Sequence, residues 1–181
     1  MSRRRQELLH RYLLWEHALT QSVNRISAFP PMRWLFGTAS RLGNWAGWFV
    51  ILLLMLVLQG GAAVLPIAWM LLTAVIGIGL YWSIKRLAAR PRPSVSCDSL
   101  RLSEPPLDQF SFPSGHTLHA VNFTVQILYF APKLGWIAVP FALLIIASRL
   151  VLGLHYLSDV IVGAVLGILL ATFSLALQAG I

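Results

Sequence analysis

The chain has 181 residues and a formal net charge of +8, yet only 11% of its residues are charged, 57% are hydrophobic and the mean hydropathy is +0.74. A soluble domain of this size carries about 25% charged residues, so the shortage of charge excludes an ordinary water-soluble fold. The basic residues flank apolar runs, which argues against a nucleic-acid partner and for membrane topology with an anionic ligand, while the one cysteine, Cys97, excludes an internal disulfide and a multi-cysteine metal cluster.

The chain opens on the basic run Arg3-Arg4-Arg5, but Glu7, Glu16 and Arg25 follow where a cleavable signal would place an apolar core. Residues 5–29 mix Leu, Trp and Tyr with Arg, His and Glu and stop at Pro30-Pro31. Crossing a bilayer would bury Glu16 and Arg25 at high cost, so the segment 1–41 reads as amphipathic, its helix lying in the membrane interface. Five apolar runs follow, at 42–59, 66–84, 115–131, 134–152 and 156–178. Each approaches the ~20 residues that a spanning helix needs. The predicted fold is all-α: a single membrane-embedded domain over 1–181, a polytopic helix bundle of about five spanning helices plus the N-terminal interfacial helix.

Gly60-Gly61 joins the first two runs and Pro132-Lys133 separates the third from the fourth. The long connection is 85–113, where Pro91, Pro93, Pro105, Pro106 and Pro113 forbid a continuous helix. Loops of this length carry function or are disordered, and 85–113 is read as the active-site loop. Five crossings put the N-terminus, this loop and the junction near 153–156 on one face, with thirteen Lys and Arg against Lys133 on the other. The positive-inside rule makes the crowded face cytoplasmic. Setting aside Lys85, Arg92 and Arg149 as candidates for chemistry still leaves ten against one.

Three polar segments interrupt the apolar chain: Lys85 to Pro93, Pro113-Ser114-Gly115-His116, and Ser148-Arg149 with His155 and Asp159. Spaced i and i+4, His155 and Asp159 are expected on one helix face, where the carboxylate holds one imidazole nitrogen and leaves the other free. That is the base-and-orienter arrangement of nucleophilic catalysis; the plainer reading is a structural ion pair. Ser114 suits a helix N-cap, where backbone N–H groups favour an anion, and Gly115 permits close approach. His116 would then stand near the same anion as a general acid. Lys85, Arg92 and Arg149 supply positive charge for phosphate oxygens, although Lys85 and Arg92 taken singly read as snorkelling membrane-edge charges. His116, His119, Asn122 and Gln126 share a stripe of about 120° on the third run, expected to face the bundle interior, with His119 a hydrogen-bonded packing residue. Gly43-x-x-x-Gly47 and Gly163-x-x-x-Gly167 permit close helix contacts.

Together these segments resemble the tripartite signature of the type 2 phosphatidic acid phosphatase superfamily: a Lys, six residues, Arg-Pro; then Pro-Ser-Gly-His; then Ser-Arg, five residues, His, three residues, Asp. Lys85, Arg92, Pro93, Pro113, Ser114, Gly115, His116, Ser148, Arg149, His155 and Asp159 match in order and spacing. The resemblance implies a lipid phosphatase acting without cofactor or metal. His155 is then the nucleophile that forms a phosphohistidine, Asp159 its orienter and His116 the acid that protonates the leaving oxygen. Lys85, Arg92, Ser114, Gly115 and Arg149 bind the phosphate. Its implied partners are a lipid phosphate (phosphatidic acid, phosphatidylglycerol phosphate or a prenyl diphosphate) and membrane lipids, with no nucleic acid. A lipid phosphotransferase using the same histidine and a non-enzymatic transporter are the alternatives. The expected location is a bacterial plasma membrane. Six-crossing members of the family have a further spanning helix upstream and a site facing away from the cytoplasm, whereas the charge pattern here favours a cytoplasmic site.

Overall fold

A computed structural model describes residues 3–96, 100–102 and 104–179. Cys97 and Asp98, both in the long connection, lie outside the described residues. The chain forms helices α1 (Arg3–Asn24), α2 (Pro30–Leu42), α3 (Ala46–Gln59), α4 (Val64–Ala88), α5 (Pro93–Ser96), α6 (Gly115–Phe130), α7 (Gly135–Val151) and α8 (Leu157–Ala179). Among the described residues there is no strand, only an isolated bridge between Pro91 and Phe110.

Three stretches are long and apolar enough to cross a membrane: Ala46–Ala88, Pro132–Val151 and Leu157–Ala179. The first holds 43 residues; as one straight helix it would be about 65 Å long, roughly twice the hydrocarbon thickness. It breaks at Gly60, whose φ of 60° and ψ of −139° suit glycine best. Side-chain contacts show that the chain reverses there. Asn44, just before α3, meets His116 at the start of α6, while Gln59 at the end of α3 donates to the Phe130 carbonyl at the other end of α6 (2.8 Å). α4 then returns, for Lys85 in its last turn reaches the Phe110 carbonyl (2.9 Å) beside the start of α6. α7 comes back towards the same end with Arg149, and α8 leaves it, carrying Ser174 to Gln126 near the far end of α6. α6 has 16 residues and carries the polar stripe, which leaves it outside the three apolar stretches.

α6 is the central rod and is buried along most of its length. α8 lies close against it because Gly163 and Gly167 face backbone: a Cβ there would stand 2.6 Å from the Ser114 carbonyl oxygen and 2.5 Å from that of Leu118. The apolar core joins Trp48, Met55, Met70, Phe123, Ile127 and Ile145, and Trp48 stacks on Phe123 with ring centroids 5.2 Å apart. The polar stripe faces this interior as expected. Asn122 and Gln126 both donate to Thr73 Oγ1 (3.2 and 3.0 Å), and Ser174 donates to Gln126. His119 departs from its expectation: it is buried, but neither ring nitrogen has a hydrogen-bond partner among the described residues.

The N-terminal segment is two helices, α1 and α2, joined by a 3-10 turn over Arg25–Ala28 and a break at Phe29, where Pro30 starts α2. Most of α1 is exposed, but Glu16, Thr20 and Asn24 are buried, four residues apart on one face. Asn24 ties three segments together: its amide donates to the Val151 and Arg101 carbonyls (2.9 and 3.1 Å) and accepts from the Arg101 N–H (2.9 Å). The long connection starts later than its sequence suggests, since α4 runs through Lys85 to Ala88 before Ala89 turns left-handed.

Candidate active site

Local structure at the end of the bundle that holds the start of α6 places the polar residues around a cavity of about 350 Å³. Lys85, Arg92, Gly115, His116, Arg149 and His155 line it. Ser114 and Asp159 stand behind the wall. Ser114 caps α6 as the sequence suggests, its Oγ accepting from the Thr117 N–H (3.4 Å) and hydroxyl (3.0 Å). Its own N–H donates to the Asp159 carbonyl (3.0 Å), which ties α6 to α8.

His155 is not on the helix that carries Asp159. α7 ends at Val151, Gly153 turns with φ 70°, and His155 lies in that turn before α8 begins at Leu157. The turn is held by N–H groups of Leu154 and His155 on the Arg149 carbonyl (3.0 and 3.1 Å). Spacing i, i+4 still brings the pair together, because Asp159 in the first turn of α8 folds back to accept from the Tyr156 N–H (2.9 Å), much as a capping-box carboxylate does. Its Oδ2 stands 3.5 Å from His155 Nδ1, a charge-pair distance without an aligned hydrogen bond. His155 Nε2 is 3.5 Å from Arg92 Nη1. Burial pulls the His155 ring down to about 4, with Asp159 opposing the shift, so the ring is neutral at neutral pH.

Lys85 and Arg92 do not snorkel; both are buried and bound to the loop. Lys85 Nζ reaches both carboxylate oxygens of Asp108 at 2.8 Å. Arg92 places Nη2 2.9 Å from Asp108 Oδ1, Nε on the Asp108 carbonyl (2.8 Å) and Nη1 on the Leu154 carbonyl (2.7 Å). Burial works against ionisation of Asp108, but Lys85 and Arg92 outweigh it and hold the carboxyl below its ordinary range. Arg149 has no such carboxylate among the described residues; its Nε and Nη2 meet Ser148 Oγ (3.1 and 2.9 Å).

Four residues absent from the sequence-derived site are joined to it here. Asp108 bridges two of its cations. Arg90 donates to Asp159 Oδ1 (2.7 Å), Ser158 Oγ (2.6 Å) and Glu16 Oε2 (2.6 Å), and lies over the Tyr156 ring. Burial disfavours the Arg90 charge, yet Asp159 and Glu16 raise its pKa. Glu16, fully buried, accepts in addition from the Ser158 N–H (2.8 Å). Asn44 Oδ1 lies 2.5 Å from His116 Nε2. Burying Glu16, costly in lipid, is tolerated because it lies against a guanidinium and a helix N-terminus. Of the four, only Arg90 carried a signal in the sequence, an arginine inside the Lys85–Arg92 segment.

The undecaprenyl-diphosphatase BcrC of Bacillus subtilis is 33% identical over 107 residues, 57% of this chain and 55% of that protein. The undecaprenyl-diphosphatase of Sulfolobus acidocaldarius is 33% identical over 110 residues, 60% of this chain and 53% of that protein. The chain thus spans about half the length of the curated relatives it matches. Among solved structures, Aquifex aeolicus LpxE superposes with a TM-score of 0.72 at 25% identity, covering 88% of this chain and 93% of that one. A PAP2 type phosphatidylglycerolphosphate phosphatase from Bacillus subtilis gives 0.70 at 23% identity, covering 94% and 87%, a likeness of fold. The sequence model of the PAP2 superfamily matches residues 48–180, most of the chain and all of the cavity's histidines and motif cations, and the chain belongs to that superfamily.

Proposed function

We propose that the protein hydrolyses the phosphate ester or diphosphate of a membrane lipid through a phosphohistidine on His155. The observation that carries this reading is the setting of His155: Nδ1 faces Asp159, and the ring opens on a cavity that Lys85, Arg92, Arg149 and His116 also line. His155 Nε2 attacks the terminal phosphorus in line, the N–P bond forms and the P–O bond to the leaving group breaks, releasing the lipid alcohol from a phosphate ester or the lipid monophosphate from a diphosphate. His116 gives its proton to the leaving oxygen, then takes one from the water that breaks the N–P bond. Lys85, Arg92, Arg149 and the backbone at Ser114-Gly115 hold the phosphoryl oxygens as charge moves. Asp108 now engages Lys85 and Arg92, so an arriving phosphate shares those donors with the carboxylate or displaces it.

In this reading α3, α4, α6, α7 and α8 are five crossings and α1 lies in the interface on the side of the cavity. Their alternating directions support it, as does the turn at Gly60 within the 43-residue apolar stretch. The basic side faces the cytoplasm of a bacterial plasma membrane. The names of the matched relatives favour a prenyl diphosphate as substrate, with phosphatidylglycerol phosphate and phosphatidic acid next.

Purified protein tested on these lipid phosphates is expected to release phosphate in the presence of EDTA and to be inhibited by vanadate. A strict requirement for added Mg²⁺ would contradict a mechanism in which side-chain cations alone stabilise the transferring group.

A further inference from the structure

We infer that Asn44 is the positioning residue of His116, fixing which ring nitrogen delivers the proton to the leaving lipid oxygen. The inference rests on the reading of His116 as the general acid. Asn44 is not in any of the three motif segments; it lies in the turn between α2 and α3, 72 positions from His116 in sequence. That turn is pressed into place by packing. A Cβ on Gly43 would stand 2.9 Å from Ile145, and one on Gly47 would stand 2.3 Å from the Phe141 ring, so both glycines bring the corner directly against α7. The Asn44 N–H is held by the Arg41 carbonyl (3.1 Å). The amide side chain therefore comes from a fixed backbone, and its Oδ1 lies 2.5 Å from His116 Nε2.

An amide oxygen only accepts, so Nε2 carries a proton in this contact. His116 Nδ1 has no hydrogen bond among the described residues. The consequence is chemical. When the P–O bond breaks, its electron pair stays on the leaving oxygen and the Nδ1 proton of the imidazolium passes to that oxygen. The ring is left as the neutral Nε2–H tautomer, the one that Asn44 Oδ1 stabilises. Asn44 does for the acid what Asp159 does for the nucleophile, with a neutral partner that does not hold the proton back by charge.

A leaving group that needs no proton separates this role from a structural one. Asn44→Leu, Asn44→Ala, Asn44→Asp and His116→Ala are compared with wild type on phosphatidic acid, farnesyl diphosphate and p-nitrophenyl phosphate, with unfolding temperatures measured alongside. In single turnovers that read phosphohistidine formation, Asn44→Leu and Asn44→Ala are expected to slow transfer from phosphatidic acid by about 30-fold, with substrate affinity and transfer from p-nitrophenyl phosphate within about 3-fold of wild type. Asn44→Asp keeps an acceptor but adds a charge that holds the proton back, so transfer from phosphatidic acid is expected between that of Asn44→Ala and wild type. Equal losses on alkyl and aryl phosphates, or no loss, overturn the inference. If His116→Ala shows the leaving-group pattern and the Asn44 variants do not, the inference falls and the role of His116 stands. If His116→Ala lacks the pattern, both fall. Wild-type protein that releases phosphate from none of the three, nor from phosphatidylglycerol phosphate, removes the proposed function itself.

Discussion

His155→Ala is expected to abolish phosphate release, with turnover of a lipid phosphate falling by about 10⁴-fold or more. The variant lacks the atom that forms the bond to phosphorus, and the remaining histidine of the proposed pair, His116, is held at Nε2 by Asn44. Substrate binding is expected to survive, because Lys85, Arg92 and Arg149 remain on the cavity. Measuring kcat and KM separately checks this: the loss belongs in kcat. A general base elsewhere would leave far more activity. The same variant separates the classes of function that the sequence left open. Transport without chemistry would persist in His155→Ala, while phosphatase and phosphotransferase activity vanish together. The ring's low proton affinity, about 4 because of burial, also makes the sign of the pH dependence definite. The nucleophile is free above that value in the unliganded protein and is lost as pH falls through it.

The second large effect is expected at Arg90. Its guanidinium serves Asp159, Ser158 and Glu16 at once, with Asp159 and Glu16 fully buried. Arg90→Ala leaves two buried carboxylates without their shared cation, a loss on the order of 3–5 kcal/mol. It also frees Asp159 Oδ1, so the carboxylate that faces His155 through Oδ2 is no longer fixed on its other side. We expect a lowered unfolding temperature together with a fall in kcat of about 100-fold. Arg90→Lys restores charge but not the planar fork that reaches three acceptors, and it is expected to recover stability more than turnover. Glu16→Gln keeps the contact to the Ser158 N–H and removes one charge, so its effect is smaller than that of Arg90→Ala and lies in the same direction. Equal turnover in wild type and Arg90→Ala would mean that Asp159 needs no second anchor.

The contrast between these residues and the motif residues explains what a sequence can reveal. The five apolar runs read out as α3, α4, α6, α7 and α8 within a few residues, because apolar composition and Gly or Pro breaks are local signals. The motif histidines and cations were legible because their spacing is fixed by a helix end, a cap and a tight turn, each a feature of short segments. Glu16 was not: its partner Arg90 lies 74 residues away, and in the sequence Glu16 looks like one acid on a polar helix face. Asp108 and Asn44 likewise gain meaning only when the loop and the α2–α3 corner fold onto the cavity. The place of His155 was misread for a related reason. Spacing i, i+4 is shared by a helix face and by a turn whose following helix returns a carboxylate to its own start, and Gly153 selects the turn.

The central claim is that phosphate passes through a covalent bond to His155. Purified protein turning over a prenyl diphosphate is quenched in alkali, where phosphohistidine survives, and digested for mass spectrometry. A phosphoryl group is expected on His155, absent in His155→Ala and accumulating when attack by water is slowed in His116→Ala. Release of phosphate at full rate with no phosphohistidine at any stage, or with the label on another residue, would contradict it.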